Sequence, residues 1–124
     1  MSLTTLTLFN NVVVGTPNGN YDGSTTFFES EPVKGAGYYQ GQGSLQTVFV
    51  TVTNFPGAMK FMATLDFDPA TANWFEVYDL TDDSTEFRFP INLTGNYTWL
   101  KAVVTGFEDE TGQDAAINSV TVTY

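Results

Sequence analysis

A chain of 124 residues is long enough for one domain with a single hydrophobic core. Hydrophobic residues make up 42% and charged residues 15%, which excludes an acidic disordered tail, and no apolar run approaches the roughly 20 residues of a membrane-spanning helix. Fourteen acidic against four basic residues give a net charge of -10, which disfavours nucleic acid and anionic membranes as partners. The first residues, MSLTTLTLF, lack a basic segment, so no secretory signal is expected there.

Alternation of β-branched or aromatic residues with polar residues recurs along the chain and predicts strands. Turn-forming residues separate about eight such runs, which predicts an all-β fold: a two-sheet antiparallel β-sandwich, jelly-roll-like, as a single domain over residues 1–124. Pro90 cannot donate a ladder hydrogen bond, so its strand is expected at a sheet edge. In chain order the predicted strands are Leu3–Phe9 with Val12–Val14, Thr25–Glu29, Gln46–Phe55, Met59–Phe67, Trp74–Leu80, Glu86–Asn92, Tyr97–Phe107 and Ile117–Tyr124.

Two of these runs, Gln46–Phe55 and Met59–Phe67, flank Pro56-Gly57, a pair of residues typical of tight turns. We therefore predict that they form a hairpin. One face of each alternating run is apolar, and these faces are expected to be buried between the sheets. The predicted core residues are Val48, Val50, Val52, Phe61, Ala63, Leu65, Leu100, Ala102 and Val104.

Catalytic groups are scarce in this composition. The absence of His and Cys excludes imidazole or thiolate zinc sites, Ser-His-Asp triads and Cys-His dyads. Asp66 and Asp68 are expected to share a strand face, and paired carboxylates can hydrolyse glycosides. A sandwich of this size seldom provides the deep cleft that such chemistry needs. We therefore predict a non-enzymatic protein without a cofactor.

Acidic residues gather in three places: Asp66 with Asp68, Asp79 with Asp82 and Asp83, and Glu108–Glu110 with Asp114. Loop carboxylates can bind calcium, but the spacing of an EF-hand loop is missing. The favoured interpretation is a solvated acidic surface that keeps the protein soluble, and no metal site is predicted.

The segment Gly35–Gly43 is rich in glycine and carries two adjacent tyrosines. A dinucleotide fingerprint needs a following helix, and here another strand pattern follows, so nucleotide binding is disfavoured. Tyrosines without neighbouring charge are favoured at interfaces, whereas folding back onto the sandwich is the alternative. The candidate interface residues are Tyr38, Tyr39, Gly35, Gly37, Gly41 and Gly43.

Trp74 and Trp99 could be platforms on which a sugar stacks. Each also lies within an apolar run, where a large aromatic ring usually fills a sandwich core. We therefore expect core or sheet packing for both, with sugar stacking as the alternative.

Several stretches together resemble the small virion structural proteins of marine and cyanobacterial tailed phages. The resemblance covers most of residues 31–124 and departs at the acidic residues 108–114. It rests on EPVKGAGYY (Glu31–Tyr39), LQTVFVTVTNF with its return MKFMATLDFDPATANWFEV, LTGNYTWLKAVV (Leu93–Val104) and the closing INSVTVTY. These are scaffold motifs, so the resemblance implies a place in a particle and supplies no catalytic residue.

The expected function is therefore that of a decoration or reinforcing subunit on a capsid or tail, located in the virion. Expected partners are other virion proteins, with the chain present in many copies or as a homo-oligomer. The alternative is a carbohydrate-binding module of a host-attachment fibre, which leaves a glycan as a candidate ligand. A concave aromatic platform with convergent polar groups would favour this alternative.

Overall fold

The structure is a computed structural model that describes residues 5–39, 45–53, 57–81, 87–107 and 115–124. Within these ranges the chain is almost entirely β, with one short 3-10 helix, Ala36–Tyr39. No helix in this part of the chain has the length and hydropathy needed to cross a membrane. The strands are β1 Thr5–Val13, β2 Phe28–Glu29, β3 Val33–Lys34, β4 Leu45–Thr53, β5 Ala58–Thr64, β6 Phe75–Thr81, β7 Phe87–Thr94, β8 Trp99–Thr105 and β9 Ala116–Thr123.

The strands form two antiparallel sheets, which confirms the predicted β-sandwich. One sheet has the order β1-β9-β4-β7, and the other has the order β2-β8-β5-β6, with β3 also pairing with β8. β2 and β3 pair with successive parts of β8, so together they act as one interrupted edge strand. Pairing is nested, because β1 pairs with β9, β2 and β3 with β8, β4 with β7, and β5 with β6. This connectivity is jelly-roll-like, since it is that of one long hairpin rolled into two sheets.

The predicted hairpin between Gln46–Phe55 and Met59–Phe67 is wrong, although both strands exist. β4 pairs with β7 and β9, whereas β5 pairs with β6 and β8, so the chain changes sheets between them. The apolar faces of the two strands contribute to the same core from opposite sheets. Alternation defines which face of a strand is apolar, but it does not specify the neighbouring strand.

The core lies between the sheets. Eight of the nine predicted core residues are buried there, and Phe61 is 1% exposed. Leu65 is the exception: it is 64% exposed, because β5 ends at Thr64 and the chain turns into a loop. At one end of the core, the rings of Phe9, Tyr21, Phe28 and Phe107 pack edge to face or tilted, with centroids 4.9–5.5 Å apart.

One edge position was predicted from the sequence, whereas an irregularity in β9 was not. β7, which contains Pro90, lies at an edge of the four-stranded sheet, as predicted. β9 contains a β-bulge, because Thr51 of β4 pairs with Ser119 whereas Val52 pairs with Ile117. The extra residue lets both Ile117 and Val120 face the core, although a spacing of three would put them on opposite faces of a regular strand.

Candidate functional site

The candidate site lies on the outer face of the five-stranded sheet. Along β8, Leu100, Ala102 and Val104 are buried in the core, so the alternate residues Trp99 and Lys101 face outward. Of the expected core or sheet packing, the core half is wrong, since neither Trp99 nor Trp74 belongs to the buried core, and both pack on the outer face of the sheet. Both rings are half-buried on the surface of the sheet.

Three aromatic rings form a cluster at one end of this face, which we call the aromatic platform: Tyr38, Phe67 and Trp99. Tyr38 stacks on Phe67 with centroids 5.4 Å apart and an interplanar angle of 22°. It meets Trp99 edge to face, also at 5.4 Å. The Trp99 indole N–H donates to the Phe67 carbonyl at 2.8 Å, which fixes the loop to the strand. Phe67 is nevertheless 72% exposed.

Tyr38 reaches the platform from the 3-10 helix, whose backbone lies close against the segment before β8. Gly35 N–H donates to the Thr98 carbonyl and Gly37 N–H to the Tyr97 carbonyl, each at 2.9 Å. A Cβ atom at Gly35 or Gly37 would overlap the backbone of Tyr97 or Asn96. Glycine is therefore required at both positions by packing within the domain.

Gln46 holds the same region together from inside. Its side-chain oxygen accepts from the Ala36 N–H at 3.0 Å, and its amide nitrogen donates to the carbonyls of Leu93 and Gly95 at 3.0 and 3.2 Å. The Tyr124 hydroxyl donates to the Lys34 carbonyl at 2.9 Å. Residues from four of the stretches named in the sequence resemblance therefore meet at one place in the fold.

The candidate interface residues are placed as follows. Gly35 and Gly37 pack inside the domain, and Tyr38 lies half-buried in the platform with the Lys34 ammonium 4.4 Å from its ring centroid. The side chain of Tyr39, together with Gly41 and Gly43, lies outside the described residues. The assignment of this loop to an intermolecular contact stays a prediction.

The loop between β5 and β6 carries both predicted carboxylates. Asp66 and Asp68 lie beyond the end of β5, so the expected shared strand face is wrong. Asp66 Oδ2 accepts from the Asn73 N–H at 2.7 Å, and Asp68 Oδ1 accepts from the Ala70 N–H at 3.0 Å. Both carboxylates thus fix the conformation of the loop that leads into Trp74.

Beside the platform, this loop forms one wall of a groove of about 350 Å³, which we call the Trp74 groove. Trp74 lies on this wall, and Glu29 and Glu31 lie on the opposite side, next to the β2–β3 edge. Lys101 lies between them, with its ammonium 3.1 Å from Glu29 Oε1 and 4.5 Å from the centroid of the Trp74 ring. The Lys101 side chain is 14% exposed, so its position is well constrained.

A second cleft, of about 450 Å³, lies along β1 and is lined by several asparagines. Asn18 donates its side-chain amide to the carbonyls of Asn10 and Asn11, and Asn20 donates to the Glu29 carbonyl. These hydrogen bonds therefore hold the β1–β2 loop against the backbone of β1 and β2.

The acidic groups show little clustering in the part of the chain that the structure describes. No group of three or more acidic side chains there is arranged to hold a metal ion. Asp82, Asp83 and Glu108–Asp114 lie outside the described residues. Asp22 accepts hydrogen bonds from the backbone N–H groups of Ser24 and Thr25, both at 2.9 Å, which lower the pKa of its carboxyl group.

Sequence reasoning missed Phe67 and the Trp74 groove. Alternation places Phe67 at the end of a strand, whereas Asp66 and Asp68 on either side of it, followed by Pro69, are typical of a loop. The groove unites residues that are far apart in the sequence, 29–31, 69–74 and 101, and alternation carries no information about their proximity.

Comparisons with known proteins find no matching protein-family model and no matching curated protein. Among solved structures, the chain is similar to the K3 cleaved adhesin domain of Lys-gingipain from Porphyromonas gingivalis, with 8% identity and a TM-score of 0.48 over 97% of this chain and 99% of that one. It is also similar to a chain of infectious bursal disease virus, Gt strain, with 14% identity and a TM-score of 0.38 over 98% of this chain and 32% of that one. At these TM-scores the similarities carry no argument about function.

Proposed function

We propose that this chain is a non-enzymatic structural protein of a virion, a β-sandwich subunit that decorates or reinforces a capsid or tail in many copies. The sequence resemblance described above supports this proposal. The close contact of Gly35 and Gly37 with residues 96–97, and the Gln46 hydrogen bonds, give those motifs a scaffold role. These motifs hold the shape of the adjoining surface, and we assign attachment to that surface.

The aromatic platform is the surface that attaches to the partner. The observation that carries this assignment is the 72% exposure of Phe67, whose ring stacks on Tyr38 and whose backbone carbonyl accepts from the Trp99 indole N–H. Rigid aromatic rings lose little conformational entropy when a partner covers them, and they often dominate the binding energy of interfaces. Apolar surface that is already ordered favours docking to another protein.

The strands of the five-stranded sheet are balanced in charge. The chain carries a net charge of -10, so copies packed side by side on a particle repel each other. Three of its four basic residues, Lys34, Lys60 and Lys101, belong to strands of the five-stranded sheet. Lys60 is 3.5 Å from Glu76 and Lys101 is paired with Glu29, whereas Lys34 lies over Tyr38 beside the platform. The strands of this sheet hold three acidic residues, Glu29, Glu76 and Asp79, so their acidic and basic residues are equal in number.

The test measures whether, and in how many copies, this chain is present on purified particles. An antibody against the recombinant chain should detect it in density-gradient-purified particles from the source, and cryo-EM should place it in a repeating position. Phe67→Ala, and separately Tyr38→Ala with Tyr39→Ala, should reduce that occupancy while the isolated domain still unfolds cooperatively. Phe49→Ala is the matched control, since Phe49 is 41% exposed on a strand of the other sheet.

Two outcomes contradict the proposal. If the chain is abundant in the lysate but missing from purified particles, the virion assignment is wrong. If occupancy falls with Phe49→Ala and not with Phe67→Ala, attachment uses the four-stranded sheet instead.

Absence of catalysis has its own test. Asp66→Asn and Asp68→Asn keep a side-chain oxygen that can accept the loop hydrogen bonds, so particle function should survive with modest changes in stability. Hydrolysis of a polysaccharide by the wild-type chain, lost in either variant, would show that the protein is an enzyme.

A further inference from the structure

We infer that the Trp74 groove is a saccharide-binding site that takes a neutral sugar. The groove lies beside the attachment platform on the same face of the five-stranded sheet, and the inference does not depend on the virion assignment. Its volume of about 350 Å³ lies at the lower end of the range for small-molecule sites, which suits a mono- or disaccharide.

The groove combines a flat ring with hydrogen-bonding groups of both kinds. Trp74 is half-buried, and the Lys101 ammonium lies 4.5 Å from its ring centroid, so a sugar must stack on the part of the indole that this ammonium leaves exposed. A pyranose ring has an apolar face of C–H groups that stacks on such a ring, and hydroxyl groups around its rim that both donate and accept. Carboxylate oxygens of Glu31 and the ammonium of Lys101 supply acceptors and donors at the same groove.

Several of these groups have hydrogen-bonding capacity left over. Among the described residues, neither the Trp74 indole N–H nor the Glu31 carboxylate has a hydrogen-bond partner. The Lys101 ammonium has three N–H groups and donates to Glu29 Oε1 at 3.1 Å. A bound polyol can therefore gain hydrogen bonds here without breaking the ion pair that positions Lys101.

The walls of the groove are already ordered. Asp66 accepts from the Asn73 N–H at 2.7 Å, directly before Trp74, and Asp68 accepts from the Ala70 N–H beside it. On the other side, Glu29 is in β2, which pairs with β8. A preformed site loses little conformational entropy when a ligand binds.

The charge of the groove determines which class of sugar it can bind. Two carboxylates and one ammonium line the groove, and the chain as a whole is strongly acidic. Anionic sugars are therefore repelled, whereas a neutral sugar meets no electrostatic barrier. The same argument excludes a phosphorylated ligand.

The test uses the purified full chain with methyl glycosides of glucose, galactose, mannose and N-acetylglucosamine, and with the disaccharides lactose, maltose and cellobiose. Binding is followed by saturation-transfer NMR and by the shift of the Trp74 indole N–H resonance. The Trp99 indole N–H is an internal control, because it is donated to the Phe67 carbonyl. Glucuronic acid and N-acetylneuraminic acid are the anionic comparison.

We expect at least one neutral saccharide to bind in the millimolar range, to shift the Trp74 resonance and to leave that of Trp99 unchanged. Trp74→Ala should weaken binding by about tenfold or more. Glu31→Gln, a change at an exposed side chain that leaves the fold intact, should weaken it several-fold. Phe27→Ala is the control for a general loss of exposed aromatic surface, since Phe27 is 57% exposed outside the groove.

The inference is overturned if no neutral saccharide binds up to high-millimolar concentration, or if an anionic sugar binds more tightly than the neutral ones. It is equally overturned if Trp74→Ala remains folded and binds as the wild type does. Should Trp74→Ala fail to fold, Glu31→Gln decides: unchanged affinity in that variant contradicts the site.

Discussion

The two sheets of this protein have the same kind of inner face and very different outer faces. On the four-stranded sheet, hydroxyl and amide pairs tie neighbouring strands together in solvent, among them Thr5 with Thr123 at 3.1 Å and Thr47 with Asn92 at 2.9 Å. On the five-stranded sheet, the platform and the Trp74 groove bring aromatic rings and ion pairs to the surface. Threonine satisfies a solvent-facing strand position without creating a binding surface. The outer face of the four-stranded sheet also exposes Phe49, but hydrogen bonds between its strands are its main feature, whereas the five-stranded sheet carries the ring cluster and the groove.

The largest expected effect contrasts the core with the platform. Phe61→Ala removes a ring that is 1% exposed between the sheets and should lower the free energy of unfolding by about 3–5 kcal/mol. Phe67→Ala removes a ring that is 72% exposed and should cost less than about 1 kcal/mol. Urea unfolding of both variants measures the difference. Equal losses would mean that the platform is part of the folding core.

The next effect concerns Gln46, whose side chain connects the 3-10 helix to the end of β7 and the residue that follows it. Gln46→Ala leaves the Ala36 N–H and the carbonyls of Leu93 and Gly95 without this side chain, and should cost about 2–3 kcal/mol. Thr47→Ala, at the next residue, removes one exposed hydrogen bond to Asn92 and should cost about 0.5 kcal/mol. Thermal unfolding followed by circular dichroism compares them. A loss from Thr47→Ala as large as that from Gln46→Ala would contradict the role of the Gln46 side chain in holding these backbone groups.

A smaller effect tests the loop that carries Trp74. Asp66→Ala removes the acceptor for the Asn73 N–H and should destabilise the protein by about 1 kcal/mol. Asp66→Asn retains an acceptor oxygen and should cost less. Hydrogen exchange of the Asn73 amide reports the loop directly: faster exchange in the alanine variant, with little change in the asparagine variant, is expected. Unchanged exchange in both variants means that Asp66 does not order the loop.

The smallest effect concerns Asp22, in the loop between β1 and β2. Hydrogen bonds from Ser24 and Thr25 lower the pKa of the Asp22 carboxyl group in the folded protein. Its stabilising contribution is therefore fully present above the unfolded pKa of about 3.9 and is lost as the pH falls through the lower folded pKa. The difference in melting temperature between wild type and Asp22→Ala should be largest near neutral pH and shrink below pH of about 4. A difference that grows on acidification would contradict the direction of this pKa shift.

Much of the fold was predictable from alternation. Most strands and their apolar faces follow from residue types two apart in the chain, and the edge position of Pro90 follows from its missing N–H. The short β3 lies outside the predicted strands. Alternation predicts that Leu65 continues the core face of β5, yet the strand ends one residue earlier. There the Thr64 side chain accepts from the Asp66 N–H and begins the loop. Local side-chain hydrogen bonds of this kind compete with a strand and end it.

The sequence by itself determined that the chain is all β, which residues of most strands face the core, and that imidazole and thiolate chemistry is absent, because these depend on composition and on the two-residue period of a strand. Only the tertiary structure decided that β4 and β5 belong to different sheets, and that Tyr38, Phe67 and Trp99 meet on one surface. The same holds for the Trp74 groove. The physical reason is that strand order results from the simultaneous packing of all the apolar faces, and contacts between distant residues follow from that order.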